Sequence, residues 1–174
     1  LGLHALWFMS ASLKQHGRTE MLDDPIFYPF WDHVRKLRIP VYWFITSAEP
    51  SIEAYLAEVA AFDRWLARYP DVPCVFTHGV PPSKFINGTD IVIPPEVWET
   101  LSSPNVITEI VIPISQGAIW DYPYMEAQPL IREYYERLGP DKLAWGSDMP
   151  NVERHCTCKQ SLDSLRLHAK FIPT

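Results

Sequence analysis

The chain has 174 residues, 47% of them hydrophobic, which suits one domain, residues 1–174, with a sizeable buried core. Its formal net charge is −6, from 15 basic and 21 acidic residues spread along its length, and no Lys/Arg cluster marks a nucleic-acid footprint. No run reaches the roughly 20 apolar residues of a membrane span, so neither nucleic acid nor a membrane is an expected partner; a small-molecule substrate is.

Leu3 to Phe8 reads as a buried strand, followed by a polar loop through Gln15, His16, Gly17 and Arg18. Asp24 caps a helix whose first position is Pro25, the favoured proline site. Phe27, Phe30, Trp31, Val34 and Leu37, at spacings of three and four, give that helix an apolar face. Pro40 ends it, and Val41 to Ile45, rich in aromatic and β-branched residues, is the next strand. Ser51 caps the clearest helix, with Ile52, Tyr55, Leu56, Val59, Phe62, Leu66 and Tyr69 on one side and Glu53, Glu58 and Arg64 largely on the other.

Pro70 and Pro73 bracket the turn into a strand, Cys74 to Thr77. The stretch from Pro81 to Val92 is too long for a simple connection and reads as a candidate active-site loop. Within it, Asn87-Gly88-Thr89 matches a glycosylation sequon, but with no signal segment it reads as a polar turn. Pro95 opens a short helix through Trp98 and Leu101; Val106 to Ile112 is a strand, and a Gly/aromatic loop runs from Ser115 to Tyr124. A helix from Pro129 to Leu138 stops at Gly139, and Leu143 to Trp145 is the last strand. Thr157 with Gln160 forms a capping box for a final helix, Cys158 to Ala169.

Strand and helix alternating about five times predict an α/β fold with a parallel sheet and helical crossovers. Two architectures fit, an open doubly wound sheet or part of a (β/α)8 TIM barrel. No Gly-x-Gly-x-x-Gly or phosphate loop follows the first strand, which removes the usual signature of a nucleotide-binding open sheet. A full barrel needs about 250 residues, so the barrel here is partial. The chain opens on Leu1 and closes at Thr174 shortly after a helix, and both ends are expected to be cuts through a longer protein. Three cysteines without paired spacing argue against a disulfide framework and point to a reducing, cytoplasmic location.

Chemistry concentrates at two strand ends. Leu143-Ala144-Trp145 stops on a small-residue turn, Gly146-Ser147, and delivers Asp148; Val75-Phe76-Thr77 ends on His78-Gly79. In parallel α/β folds the loops after the strands converge at the carboxyl ends. An imidazole and a carboxylate placed there suit a divalent metal or a proton-transfer site.

Three segments carry a family resemblance: Thr77-His78-Gly79, the proline-led strand Ile39-Pro40-Val41-Tyr42, and above all Trp145-Gly146-Ser147-Asp148-Met149-Pro150. Together they resemble the amidohydrolase superfamily, in particular the amidohydrolase-2 group that includes aminocarboxymuconate-semialdehyde decarboxylase and γ-resorcylate decarboxylase. The resemblance covers nearly the whole chain, as the later strands of that barrel in order. It implies that Asp148 is the late-strand aspartate that binds metal or assists proton transfer. It likewise implies that His78 binds the metal or polarises water, with zinc the expected ion and manganese the alternative. The family's first-strand His-x-His or Glu-x-His pair would lie before Leu1. A further histidine is expected after the proline of the Pro40 strand, where this chain has Phe44, which cannot ligate a metal. Two ligands alone make a poor site, because catalytic zinc usually takes three plus water, so the rest would come from the N-terminal part of the barrel.

Each residue has a structural alternative. Asp148 can serve as a turn aspartate and His78 as a half-buried histidine bonded to a loop carbonyl. His155-Cys156-Thr157-Cys158 lacks zinc-finger spacing and reads as a loop-to-helix junction. Arg154, soon after Asp148, is a candidate for binding a substrate carboxylate, or a solvated loop charge. Glu109 either points into the barrel or pairs with a lysine, and His4, His16, His33 and His168 read as structural or exposed. The aromatic run from Trp120 to Tyr124 either lines a substrate pocket or packs over the core.

The expected function is a metal-dependent hydrolase acting on a small carboxylated or cyclic substrate. Non-oxidative decarboxylation is the nearest alternative, and Phe44 adds weight to a metal-independent lactonase. From another class, the chain is a non-catalytic homologue or a piece that folds only with the rest of its barrel. An open half-barrel exposes strand edges and apolar face, which favours self-association.

Overall fold

A computed structural model describes residues 2, 4–88, 90–111 and 121–173. It holds a five-stranded sheet in the order β1 (Leu6–Met9), β2 (Val41–Phe44), β3 (Cys74–Phe76), β6 (Val106–Ile110) and β7 (Leu143–Trp145). The pairs β1/β2, β2/β3 and β6/β7 run parallel, with Leu6 opposite Val41, Val41 opposite Cys74 and Glu109 opposite Ala144. Helices separate consecutive strands of this sheet, as the alternating pattern predicts. Among the described residues no helix is long and apolar enough to cross a membrane.

The chain divides into two compact units. The first comprises Leu1–Phe76 and Pro94–Ile107, with helices α1 (Ser12–Gln15), α2 (Tyr28–Leu37), α3 (Ile52–Arg68) and α4 (Pro95–Leu101). The strand expected from Leu3 to Phe8 lies at Leu6–Met9, with Leu3 outside the described residues. The single turn α1 was not anticipated, since part of it falls in the polar stretch read as loop. Asp24 does cap the next segment, accepting from the Ile26 amide, but residues 25–27 form a tight 3-10 turn before α2 begins. Trp31 and Val34 are buried as expected, whereas Phe30 and Leu37 are exposed.

The core of this unit is aromatic. Trp31, Trp43 and Trp65 are each about 1% exposed and lie within 5.1–5.4 Å of one another, ring centre to ring centre. Phe62 closes on Trp43 at 5.5 Å and Tyr69 on Trp65 at 5.2 Å. Strand alternation sends Val41 and Trp43 into this core, while Tyr42 and its β1 partner Trp7 share the opposite, exposed face of the sheet.

Helix α3 begins where Ser51 predicts, its hydroxyl accepting from the Ala54 amide at 3.1 Å, but Glu58 corrects the reading. It is 2% exposed, because it lies three residues after Tyr55 and four before Phe62 and so belongs to the buried stripe. Lys14 Nζ stands 3.2 Å from its Oε1 as an ion pair. Burial nonetheless pushes the Glu58 carboxyl above its ordinary value of 4.5, against the opposing pull of Lys14. An acid with a raised folded-state pKa binds protons more tightly folded than unfolded, so its contribution to stability is full below about 4.5 and is lost as pH rises through the folded value. Glu58→Gln should therefore gain on the wild type as pH rises from 4.5 to 7; urea midpoints that move in parallel across that range would remove Glu58 as the cause.

The second unit comprises Thr77–Ile93 and Thr108–Thr174, with helices α5 (Gln128–Leu138) and α6 (Cys158–Arg166). The long stretch after His78 is more ordered than an open loop. It holds a 3-10 turn at Pro82–Lys84 and an antiparallel hairpin of β4 (Ile86–Asn87) and β5 (Asp90–Ile91). Gly88, in the hairpin turn, takes φ +64°, so the polar-turn reading of 87–89 fits, with Thr89 outside the described residues. The expected strand through Ile112 ends at Ile110; Ile112 and the loop residues 115–120, Trp120 included, also lie outside. Ile110, Tyr124, Ala127, Ile131, Val152 and Cys156 form this unit's core, with Leu143, Leu165 and Phe171 against it. Tyr124 thus packs over the core, while Tyr122 is exposed and bonds His168. The Thr157–Gln160 capping box forms as predicted, on a helix that ends at Arg166 rather than Ala169.

Candidate functional site

Strands β6 and β7, the 77–80 segment and α5 build the site inside the second unit. After β3 the backbone passes through two successive left-handed residues, His78 at φ +69° and Gly79 at φ +68°. Such φ values are uncommon for a residue with a Cβ, histidine being among the more tolerant. Glycine at 79 has a further reason: a Cβ there would meet the Tyr134 hydroxyl at 3.1 Å and the Glu109 carbonyl at 3.5 Å. Tyr134, buried on α5, accepts the Val80 amide at 2.7 Å, and burial pushes its phenol up from its ordinary value. Two acceptors therefore hold this turn, since the Glu109 carboxylate accepts the His78 backbone amide at 3.1 Å.

On the other side, β7 ends at Trp145 and the chain turns through Gly146 and Ser147 to Asp148, itself left-handed at φ +51°. Aspartate tolerates this conformation better than most residues. The Asp148 carbonyl accepts from the Val152 amide at 3.0 Å, which ties the turn to the 3-10 segment Asn151–Arg154. Residues held at sparsely populated backbone angles cluster at functional sites, at a cost of about 1–3 kcal/mol each. Here both chemistry-bearing residues are of that kind.

The structure brings them together. His78 Nε2 lies 3.3 Å from Asp148 Oδ1, with side chains 18% and 13% exposed, and Asn151 Nδ2 donates to the same Oδ1 at 3.3 Å. The pair is half-sheltered yet reachable. It can transfer a proton between imidazole and carboxylate, or present two lone pairs to one cation. In a tetrahedral zinc site with bonds of about 2.0–2.1 Å, neighbouring ligand atoms stand about 3.3 Å apart, so the two donors match one edge of such a site. Among the described residues no group of three His, Cys, Asp or Glu side chains is placed to hold a metal. The His78–Asp148 pair by itself falls short of the three protein ligands that a catalytic zinc usually takes.

The other candidates fall elsewhere. Arg154 is exposed at the end of the turn after Asp148, and among the described residues no hydrogen bond or ion pair joins it to His78 or Asp148. Phe44 ends β2 in the first unit, its ring 6.3 Å from Trp7. Cys156 is buried, Cys158 exposed, and all three cysteines are free. Two residues beside the pair carried little sequence signal. Asn151 shows only as a polar residue three positions after Asp148. Glu109, read from the sequence as pointing into the barrel or pairing with a lysine, has its carboxylate on the His78 amide.

Comparison with solved structures supports the fold. An amidohydrolase from Burkholderia multivorans with bound Hepes superposes with a TM-score of 0.74 at 13% identity, over 99% of this chain and 59% of that one. A second crystal form of it, with bound zinc, gives 0.71 at 13% identity, over 99% and 58%. A probable 2-pyrone-4,6-dicarboxylic acid hydrolase from Acinetobacter baumannii with citric acid bound gives 0.65 at 20% identity, over 98% and 58%. The 5-carboxyvanillate decarboxylase of Sphingomonas paucimobilis gives 0.60 at 16% identity, over 98% and 53%. The chain therefore spans 53–59% of the length of these structures, as part of a (β/α)8 barrel. No curated protein matches it. The sequence does match the amidohydrolase family model over residues 12–167. A parallel sheet with an imidazole and a carboxylate at its strand ends, and a match that takes in nearly every described element, lead to one conclusion: the chain belongs to the amidohydrolase family.

Proposed function

We propose that the full-length protein is a metal-dependent hydrolase of a small carboxylated or cyclic substrate. In this reading His78 Nε2 and Asp148 Oδ1 hold a divalent cation, zinc or manganese, and Asp148 also handles the proton. The observation that carries it is the 3.3 Å approach of these two atoms from chain positions 70 residues apart, at one sheltered place. When bound, the cation supplies Lewis-acid polarisation. Asp148 contributes a carboxylate whose direction is set by Asn151 and by the tethered turn, so that a proton taken at its second oxygen is returned from one fixed position. His78 contributes an imidazole whose position its backbone fixes, through the Glu109 acceptor and the Tyr134 staple beyond it. The remaining ligands come, in this proposal, from parts of the barrel beyond this chain.

Support comes from the zinc in one similar structure and from the cyclic dicarboxylic acid in the name of another. Decarboxylation is the second reading, favoured by the likeness to the 5-carboxyvanillate enzyme. One experiment separates them. The full-length protein is stripped with a chelator, its metal content is measured, and hydrolysis of lactone carboxylates is followed beside carbon dioxide release from hydroxybenzoates. About one zinc per chain, activity lost on stripping and recovered with zinc or manganese, and ring opening without gas are the expected results. Activity that survives stripping would overturn metal dependence, and gas release would select the decarboxylase.

A further inference from the structure

We propose that Glu109 is a positioning residue for the His78–Asp148 pair, and that Gly146 is glycine in order to seat it. The inference rests on the reading of that pair as the reactive centre. Glu109 occupies the penultimate position of β6, and its Oε2 accepts the His78 backbone amide at 3.1 Å. This bond acts where the backbone is least able to hold itself, at the first of two left-handed residues.

The same carboxylate lies against the turn that carries Asp148. A Cβ built on Gly146 would stand 2.1 Å from Glu109 Oε1, 2.4 Å from its Cδ and 2.7 Å from its Cγ. These distances are far inside any real contact, so the side chain fills the volume that every residue except glycine would need. Both backbones are fixed, so a Cβ at 146 would be relieved by turning the Glu109 side chain away from its seat. Gly146 donates its amide to the Ile110 carbonyl at 3.0 Å, and Glu109 is held in register opposite Ala144. One carboxylate thus touches both segments that bear the reactive side chains: the His78 amide directly, and the turn two residues before Asp148. An apolar residue at 109 would fill the same space but accept nothing from His78. The acceptor oxygen distinguishes a positioning role from packing.

The test uses the full-length protein, isotopically labelled, with two readouts: the proton shift of the His78 backbone amide and the dissociation constant for zinc alone. Glu109→Ala should move the amide resonance upfield and weaken zinc about 10- to 100-fold, the range for losing a group that orients a ligand. Glu109→Gln keeps an acceptor oxygen and should restore most of both. Gly146→Ala should reproduce Glu109→Ala by displacing the carboxylate, and the double variant should lose little more, because the two substitutions break one shared arrangement. An unmoved His78 amide in Glu109→Ala, or no rescue by glutamine, would overturn the proposal, and so would losses that simply add. A wild type that binds no zinc would sink the metal reading instead, while the amide shifts would still decide the role of Glu109.

Discussion

Asp148→Asn is expected to lower turnover of the full-length protein by about 10²- to 10⁴-fold, the range for removing a positioned acid or base, and to abolish tight zinc binding. The substitution changes little else. Asparagine has the same shape and accepts a left-handed φ as readily as aspartate, so the turn at +51° survives. Its side-chain oxygen still accepts from Asn151, and the carbonyl still accepts from Val152. What disappears is the negative charge beside His78 Nε2 and the carboxylate's capacity to carry a proton. Turnover, zinc content and a urea titration on the same preparation check this. An unchanged midpoint with collapsed activity is the expected pattern; activity within tenfold of wild type would remove Asp148 from the chemistry.

The largest stability effect is expected at Trp43. It is 1% exposed and its ring stands 5.3 Å from Trp31, 5.1 Å from Trp65, 5.5 Å from Phe62 and 6.0 Å from Phe8. Trp43→Ala removes the ring shared by all four and leaves a cavity that stiff aromatic neighbours cannot collapse to fill. Losses of about 3–5 kcal/mol are typical of such truncations, a large part of the about 5–15 kcal/mol that holds a domain folded. Trp43→Phe keeps part of the contact and should lose less, which preserves a measurable transition if the alanine variant does not fold. Urea unfolding of both variants gives the comparison, and an alanine variant within 1 kcal/mol of wild type would show that the aromatic cluster is not the keystone of its unit.

Local signals served well wherever the interaction was itself local. Ser51, Asp24 and the Thr157–Gln160 pair cap helix starts as read, because a cap bonds an amide two or three residues away. The strand Leu143–Trp145 was legible to the residue, bounded by a 3-10 turn on one side and Gly146 on the other. Readings failed where a second element decided the outcome. Glu58 was assigned to a solvated face, yet it lies on the buried stripe with Lys14 as its counter-charge, from a turn the pattern did not reveal. Phe30 and Leu37 fit an apolar helical face but remain exposed, since spacing says which side of a helix is apolar and not how much of it is covered.

The candidate site divides in the same way. From residues alone came the alternating α/β order, the two strand ends, and the pairing of an imidazole with a carboxylate as the chemistry to look for. Those follow from periodicity and from the types of side chain, which a linear chain displays. Only the folded molecule decided that His78 and Asp148 meet at 3.3 Å, that both are left-handed, and that Glu109 reaches the His78 amide across a seat kept open by Gly146. Each is a contact between residues 31 to 70 positions apart, or a backbone angle imposed by such contacts. No local pattern encodes a distance set by the packing of strands against one another.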